Sequence, residues 1–471
     1  MKIVLINPPK FNIISNNSPD FLVKKNPDFL PPPGLMYLAG YLKEKSNHFV
    51  EIIDCPLEGY DYNQLERILR QKNPDFVGIT VTSFTLIDAI KTAKASKKAN
   101  KNIKVILGGP HVHIYPEESA RIKEIDYCIM GEGEKPLKEL LDLLEKKEDI
   151  NKISGIVFEK DNQLISNKPD NLIKDLDQLP FPARELLPYH KYSSILSDKK
   201  PVTTMFTSRG CPFNCLFCDR PHLGNIFRAR SADNVVDEFE QCKKMNIKEV
   251  FVYDDTFTVN KQRVLDICSK IKDRKIDISW DIRARVDTVN PQILHALKDA
   301  GCQRIHYGVE AGTQKTLNTL RKGITLEKAE ETFKATRVAG IYSLAYFMIG
   351  SPEETRQDIK ATIKFAKKIN PDYVCFSITT PFPGTDLYRQ GLEQGVFSED
   401  YWQNFAKNPT PDFQAKFWTQ NLTEKELLKL SQKAYRSFYL RPSYIIKNLI
   451  NLKSWYDFKN KAKTALNIIK S

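Results

Sequence analysis

Two long runs in which short apolar segments alternate with amphipathic ones constrain this chain more than any other feature. In the first run the apolar segments fall at residues 3–6, 50–53, 76–81, 105–107 and 127–130, separated by amphipathic stretches at 34–45, 65–72, 86–98 and 136–146. That rhythm dictates parallel βαβ units in a doubly wound sheet, an α/β fold. Ligands of such sheets sit outside the carboxyl ends of the strands. The segments expected there are Asn7-Pro8-Pro9, Thr82-Ser83, Gly108-Gly109-Pro110-His111 and Gly131-Glu132-Gly133-Glu134. Glycines let a backbone approach a ligand closely and hydroxyls supply small donors. No G-x-G-x-x-G follows the first strand, so a dinucleotide site is poorly supported, and a purely structural sheet is the alternative.

The rhythm resumes after a bridge. Residues 153–158 and 163–166 read as a hairpin about Asp161-Asn162, and Leu179-Pro-Phe-Pro-Ala-Arg184 as a connector that cannot continue a helix. Strands are then expected at 202–206, 249–253, 276–282, 304–309, 342–349 and 373–380. Helices are expected between them at 233–245, 264–272, 326–339 and 355–368. Asn290-Pro291 opens a further helix, and Ser351-Pro-Glu-Glu354 reads as a capping box.

Immediately after the strand at 202–206 stands Thr207-Ser-Arg-Gly-Cys211-Pro-Phe-Asn-Cys215-Leu-Phe-Cys218-Asp219. Three cysteines spaced C-x3-C-x2-C on a loop can wrap one small inorganic body, whereas a helix or strand at that spacing cannot. Iron–sulfur cubes are commonly held by four thiolates, so three would leave one iron open to a small molecule. The rival is a structural zinc completed by His222 as a Cys₃His set.

Charge and cysteine usage narrow the class. The chain carries a net charge of +13, which taken alone suggests nucleic acid. Residues 431–471, however, hold nine Lys or Arg against one acid, Asp457, so the excess belongs to a basic tail. The six cysteines outside the cluster (Cys55, Cys128, Cys242, Cys268, Cys302, Cys375) make no disulfide framework and fit a reducing cytoplasm. No apolar run is long enough to span a membrane.

The cysteine spacing after a strand, with Phe217 before the last cysteine, resembles the radical S-adenosylmethionine (radical SAM) superfamily. The front half resembles the cobalamin-binding domain that precedes the radical SAM domain in one large class of these enzymes. It does so through Pro31-Pro-Pro-Gly34-Leu-Met-Tyr-Leu-Ala-Gly-Tyr-Leu42, Leu107-Gly-Gly-Pro-His111 and Met130-Gly-Glu-Gly-Glu134. The resemblance implies a Rossmann-like cobalamin-binding domain at 1–150, a hairpin and Pro-rich linker at 151–198, a partial (β/α)₆ barrel at 199–395 and a basic helical region at 396–471. It implies that Cys211, Cys215 and Cys218 hold a 4Fe-4S cluster whose fourth iron chelates S-adenosylmethionine. Cleavage of that cofactor gives a 5′-deoxyadenosyl radical that removes hydrogen from a substrate.

Site residues follow from the same resemblance. Asp254-Asp255-Thr256 stands where the family often has Gly-Gly-Glu, so Asp254 or Asp255 is expected to take the SAM ammonium. Arg283 or Arg285 is expected to take its carboxylate, Glu310 its ribose, and Gly350 with Pro352 to let adenine approach. Thr82, Ser83, Gly108, Gly109, Gly131 and Gly133 are the expected cobalamin-binding positions. No histidine sits in a D-x-H-x-x-G pattern, which implies cobalamin without a histidine axial ligand; His111 and His113 read as solvated loop residues. Tyr253, Tyr307 and Tyr346 read as core.

The implied activity is methylation of an unactivated carbon of a small molecule or lipid, with an external electron donor of the flavodoxin or ferredoxin type. An oxidative cyclase, like the anaerobic magnesium-protoporphyrin ester cyclases the chain also resembles, is the alternative within the class. A zinc-held scaffold and an RNA-modifying enzyme lie outside it. Past residue 423 the pattern is a capping box (Thr423-Glu-Lys-Glu426) and a helix, then basic, aromatic amphipathic stretches at 444–452 and 455–469. These read either as a cap packed on the barrel or as a segment lying on an anionic membrane.

Overall fold

The structure, a computed structural model, describes residues 1–14, 29–170, 172–219 and 226–450; His222 and the stretch 455–469 lie outside them. The first seven strands are β1 (Lys2–Asn7), β2 (Phe49–Asp54), β3 (Phe76–Thr80), β4 (Lys104–Gly108), β5 (Tyr127–Ile129), β6 (Ile156–Lys160) and β7 (Gln163–Ser166). They form one sheet in the order β2-β1-β3-β4-β5-β6-β7. The first five are parallel and the hairpin β6–β7 adds antiparallel to β5. The helices between them are α1 (Pro33–Lys45), α2 (Tyr62–Lys72), α3 (Leu86–Ala99) and α4 (Glu134–Lys146). Alternation along β1 sends Ile3 and Leu5 into one core and Val4 and Ile6 into another, so both faces are covered. Asp61 and Gln64 close a capping box that starts α2. The order reverses between β1 and β3, the point at which sheets of this kind place a ligand, outside the carboxyl ends of the strands.

The second sheet is all parallel. It consists of β8 (Val202–Met205), β11 (Glu249–Val252), β12 (Ser279–Ala284), β13 (Cys302–Glu310), β14 (Tyr342–Ile349) and β15 (Tyr373–Ile378), paired in chain order. A two-stranded ribbon, β9 (Ser208–Arg209) with β10 (Arg228–Ala229), closes the base of the cysteine loop. The helices α5 (Ala232–Lys244), α6 (Lys261–Asp273), α7 (Pro291–Asp299), α8 (Leu326–Val338) and α9 (Arg356–Ile369) follow in turn. The result is the expected α/β architecture, with a partial (β/α)₆ barrel behind the first sheet.

Two local expectations change. The third barrel strand begins at Ser279 because Ile276 N–H closes α6 on the Ile271 carbonyl. The box that opens α9 is Thr355 with Asp358, while the Glu354 carboxylate turns back to the Gly350 and Ser351 N–H groups.

The chain ends in α10 (Asp386–Glu393), α11 (Tyr401–Lys407), α12 (Glu424–Tyr439) and α13 (Pro442–Ile450). Thr423 and Glu426 cap α12 as expected. That helix covers the edge strand β15: Tyr439 Oη bridges Val374 N and O, and Tyr435 Oη bridges Phe376 N and O. Satisfying an edge in this way removes a template for strand pairing. No helix among the described residues is long and apolar enough to cross a membrane.

Candidate active site

The cysteine loop leaves β8 at the carboxyl end of the barrel, where barrel enzymes gather reactive groups. Its first residues are fixed by Asp254, which lies two residues past β11 next door and is fully buried. That carboxylate accepts from Thr207 N (2.6 Å), Ser208 N (3.0 Å), Ser208 Oγ (2.6 Å) and Thr207 Oγ1. Asp254 therefore holds the loop's base; Asp255 beside it is exposed.

Farther along, Leu216 N donates to the Leu320 carbonyl, and Leu387 N donates to the Leu216 carbonyl. The middle of the loop is thus stitched to two separate elements. Cys211 Sγ lies 3.8 Å from Thr256 Oγ1, Cys215 is buried, and Cys218 is exposed. Among the described residues no three His, Cys, Asp or Glu side chains converge on a point. What fits a cluster is the donor set, three thiols on one short loop pinned at its base and middle.

Arg285, just past β12, sits against that loop. Its Nε and Nη2 grip Asp287 at 2.9 Å each, Nη2 also donates to the Lys322 carbonyl at 2.6 Å, and Nη1 lies 3.7 Å from Cys215 Sγ. Its guanidinium carbon stands 3.8 Å from the centre of the Phe213 ring. Asp287 and the Lys322 carbonyl thus engage Nε and Nη2 of the fork and leave Nη1 toward the cysteine. Arg283, one pleat lower on the same face of β12, stacks on Tyr253 at 3.9 Å. It has no ion pair among the described residues.

Two further barrel cations here are paired with acids. Arg304 pairs with Glu249 and Asp281 (2.9 Å each), and Lys322 pairs with Glu310 Oε1 at 2.7 Å. Glu310 adopts φ +72°, and a Cβ at Gly308 would stand 2.3 Å from its Oε1, so Gly308 makes room for this carboxylate. Tyr307 is core, as expected. Tyr346 instead bonds His306 Nδ1 (3.0 Å), whose Nε2 lies 3.1 Å from Asp281. A Cβ at Gly350 would lie 2.5 Å from Leu427, so its bare face lets α12 pack closely.

At the mouth of the first sheet, Thr82 caps the turn Ser83–Thr85. Ser83 Oγ lies 2.9 Å from His111 Nδ1 and ties the end of β3 to the loop after β4. His111 is 1% exposed, not solvated, and burial pushes it down to about 3, so the ring is neutral. Its Nε2 has no partner among the described residues. Gly109 has φ +118°, and a Cβ would stand 2.6 Å from the Val81 carbonyl, so this glycine lets two strand ends close on each other. Cβ atoms at Gly131 and Gly133 would meet Pro169 and Leu38, while Gly108 has only ordinary contact with the Ile129 carbonyl. These strand ends carry the hydroxyls of Thr82 and Ser83 and closely packed glycine backbone.

Sequence reasoning missed how the two halves meet. Glu132 accepts both Nη atoms of Arg228 (2.9 and 3.1 Å), Arg209 Nη1 at 3.0 Å and Ile173 N at 2.8 Å. Glu134 pairs with the other nitrogen of Arg209. Burial would raise the Glu132 carboxyl, but the two guanidiniums and the Ile173 N–H outweigh it and hold it below its usual value. Arg209 and Arg228 pair in the ribbon at the base of the cysteine loop, so the loop after β5 and the cysteine loop are locked together. The available signal was the acids, not the glycines, of Met130-Gly-Glu-Gly-Glu134.

Residues 205–366 match the radical SAM superfamily and residues 20–141 match the B12 binding domain. The chain belongs to the radical SAM superfamily, in the class that carries a B12-binding domain. It is 38% identical to an uncharacterised methyltransferase of Pyrococcus horikoshii across 89% of this chain and 90% of that one. It is 27% identical to the anaerobic magnesium-protoporphyrin IX monomethyl ester cyclase of Rubrivivax gelatinosus across 88% and 75%. Among solved structures, the cobalamin-dependent radical enzyme OxsB with aqua-cobalamin and S-adenosylmethionine bound shares the fold at a TM-score of 0.73 and 19% identity, over 99% of this chain and 72% of that one. The protein is a methyltransferase-like radical SAM enzyme whose cofactors are a 4Fe-4S cluster, S-adenosylmethionine and cobalamin. The zinc-held scaffold is set aside.

Proposed function

We propose that the enzyme methylates an unactivated carbon of a small-molecule or lipid substrate, with Cys211, Cys215 and Cys218 holding the cluster. With its cofactors bound, this class supplies a carbon-centred radical and a transferable methyl group. The chain's own residues hold the pieces in register. Arg283, left without a carboxylate, takes the SAM carboxylate; Asp255 takes the ammonium; Glu310, whose Oε1 is held by Lys322, turns its other oxygen to the ribose. Thr82, Ser83, Gly108, Gly109, Gly131 and Gly133 line the corrinoid crevice, and an external one-electron donor of the flavodoxin or ferredoxin type reduces the cluster.

The observation that carries this reading is the buried lock of Glu132 and Glu134 on Arg209 and Arg228, which holds the loop after β5 against the cysteine loop. Anaerobic purification with iron and corrinoid analysis, then a SAM-cleavage assay with reductant, tests it. Cys215→Ala is expected to lose iron and 5′-deoxyadenosine formation together; retained iron would sink the assignment. Product mass separates methylation, a gain of one methyl, from an oxidative cyclisation of the kind the Rubrivivax relative is named for.

One observation favours contact with a membrane. Ile445, Ile446, Leu449 and Ile450 form an exposed apolar face on α13, followed by a basic sequence. A lipid substrate would suit an enzyme docked in this way.

A further inference from the structure

We propose that Arg285 sets the reduction potential of the cluster, acting through the sulfur of Cys215. The inference rests on the role of Cys215 given above. A guanidinium carries five N–H donors in a fixed fork. Here three of them are used by Asp287 and the Lys322 carbonyl, and a face lies on Phe213. The orientation of Arg285 is therefore determined by groups other than the cysteine, and the remaining nitrogen, Nη1, faces Cys215 Sγ at 3.7 Å. Its side chain is only 6% exposed, so water screens the charge little, whereas the carboxylate of Asp287 is 29% exposed.

A cluster that accepts an electron gains one negative charge. A buried cation and an N–H directed at a coordinating sulfur both favour the state with the extra electron, and hydrogen bonds to sulfur are among the main levers on cluster potential. Asp287 works in the opposite sense: its countercharge weakens the field of Arg285 at the sulfur. Arg285 is thus a positioning residue that makes the reduced state easier to reach, and its strength is trimmed by Asp287. Lys322 adds a second cation near the loop, 5.9 Å from the Phe217 ring centre, but it is neutralised by Glu310.

The sign of each change is fixed in advance. In the reconstituted full-length enzyme without SAM, a dithionite titration with mediators, followed by the low-temperature EPR signal of the reduced cluster, gives the midpoint. Arg285→Gln is expected to lower it by at least tenfold in the oxidised-to-reduced ratio at fixed poise, about 59 mV for a one-electron couple. Asp287→Asn is expected to raise it, and Arg285→Lys to fall between wild type and Arg285→Gln. Opposite movement of the Gln and Asn variants at full iron content supports the proposal. Unchanged midpoints, or movement in one direction by both, overturns it. Should Arg285→Gln fail to hold iron, the Lys and Asn pair decides by the same rule. Wild-type protein that binds no iron would overturn the cysteine assignment itself, whereas a normal cluster with unmoved potentials removes only the role of Arg285.

Discussion

Glu354 is the carboxylate with the most unusual setting. It is 2% exposed; Oε2 accepts from Gly350 N (2.7 Å) and Ser351 N (2.9 Å), and Oε1 has no partner among the described residues. Burial pushes its carboxyl up to about 7, against the opposing pull of those N–H groups. Because the folded value is raised, the unfolded chain releases this proton first as pH rises. Stability from this group is fully present below about 4.5 and lost by about 7. At about 1.4 kcal/mol per tenfold, the full loss is about 3–4 kcal/mol. Glu354→Gln should abolish it, so the difference in unfolding free energy between wild type and variant should change by about 2–3 kcal/mol between pH 5 and 7.5. A pH-independent difference would show that the carboxyl titrates normally. Gly109→Ala faces both a left-handed φ and the Val81 carbonyl, and should lower the urea midpoint by an equivalent of more than about 1 kcal/mol. At this scale the cysteines and the cap residues Asn290 and Thr423 were legible, because their signals are local in sequence. The partners of Asp254 were not: Thr207 and Ser208 lie 47 and 46 residues away and meet it only because β8 and β11 pair. The partners of Arg285 were hidden for the same reason, since nothing in the sequence shows that Asp287 and the Lys322 carbonyl engage its fork.

Among elements, strands and helices were readable wherever apolar periodicity ran uninterrupted, and the hairpin turn at Asp161-Asn162 was readable from residues that tolerate positive φ. What periodicity cannot give is which acidic residue of one element answers which arginine of another. The lock between the first sheet and the ribbon β9–β10 is such a case. Removing one member of a buried, hydrogen-bonded ion cluster leaves its partners charged and unpaired, at about 3–5 kcal/mol. Glu132→Ala removes the carboxylate that both Nη atoms of Arg228 share, deprives Arg209 of one of its two acids and leaves Ile173 N without its acceptor. The expected outcome is a lower denaturant midpoint and faster limited proteolysis in the 167–200 connector, with Glu132→Ala and Arg228→Ala far from additive. Additive losses would mean that the two side chains act separately.

Across the whole molecule the barrel keeps a core of its own, but both cores on the faces of the first sheet are shared between the halves. The face of the first sheet that holds Val4, Ile6, Val77 and Leu107 is completed by Leu216 of the cysteine loop and by Leu387, Trp402 and Trp418 from beyond the barrel. The opposite face is completed by Val202 and Phe251 of the barrel. A chain built in this way presents its remaining apolar surface only where nothing is left to cover it, and α13 is such a place. Tyr444 Oη donates to the Asp372 carbonyl at 3.0 Å and Lys447 pairs with the Asp372 carboxylate at 2.7 Å, so one side of the helix is pinned to the barrel. Ile445, Ile446, Leu449 and Ile450, 42–77% exposed, are grouped within about 140° of arc on another side. Residues 441–471 carry seven Lys or Arg against Asp457, a charge that anionic lipid would attract over roughly a Debye length. Wild-type protein should therefore co-sediment with vesicles containing phosphatidylglycerol, less so in high salt, and protein ending at residue 440 should stay in solution. Ile446→Glu with Ile450→Glu removes two buried side chains' worth of transfer free energy, about 1.5–3 kcal/mol each, and should weaken binding more than tenfold at unchanged thermal stability. Equal sedimentation of wild type and truncated protein would assign the helix to the barrel alone and leave the exposed isoleucines without a membrane role.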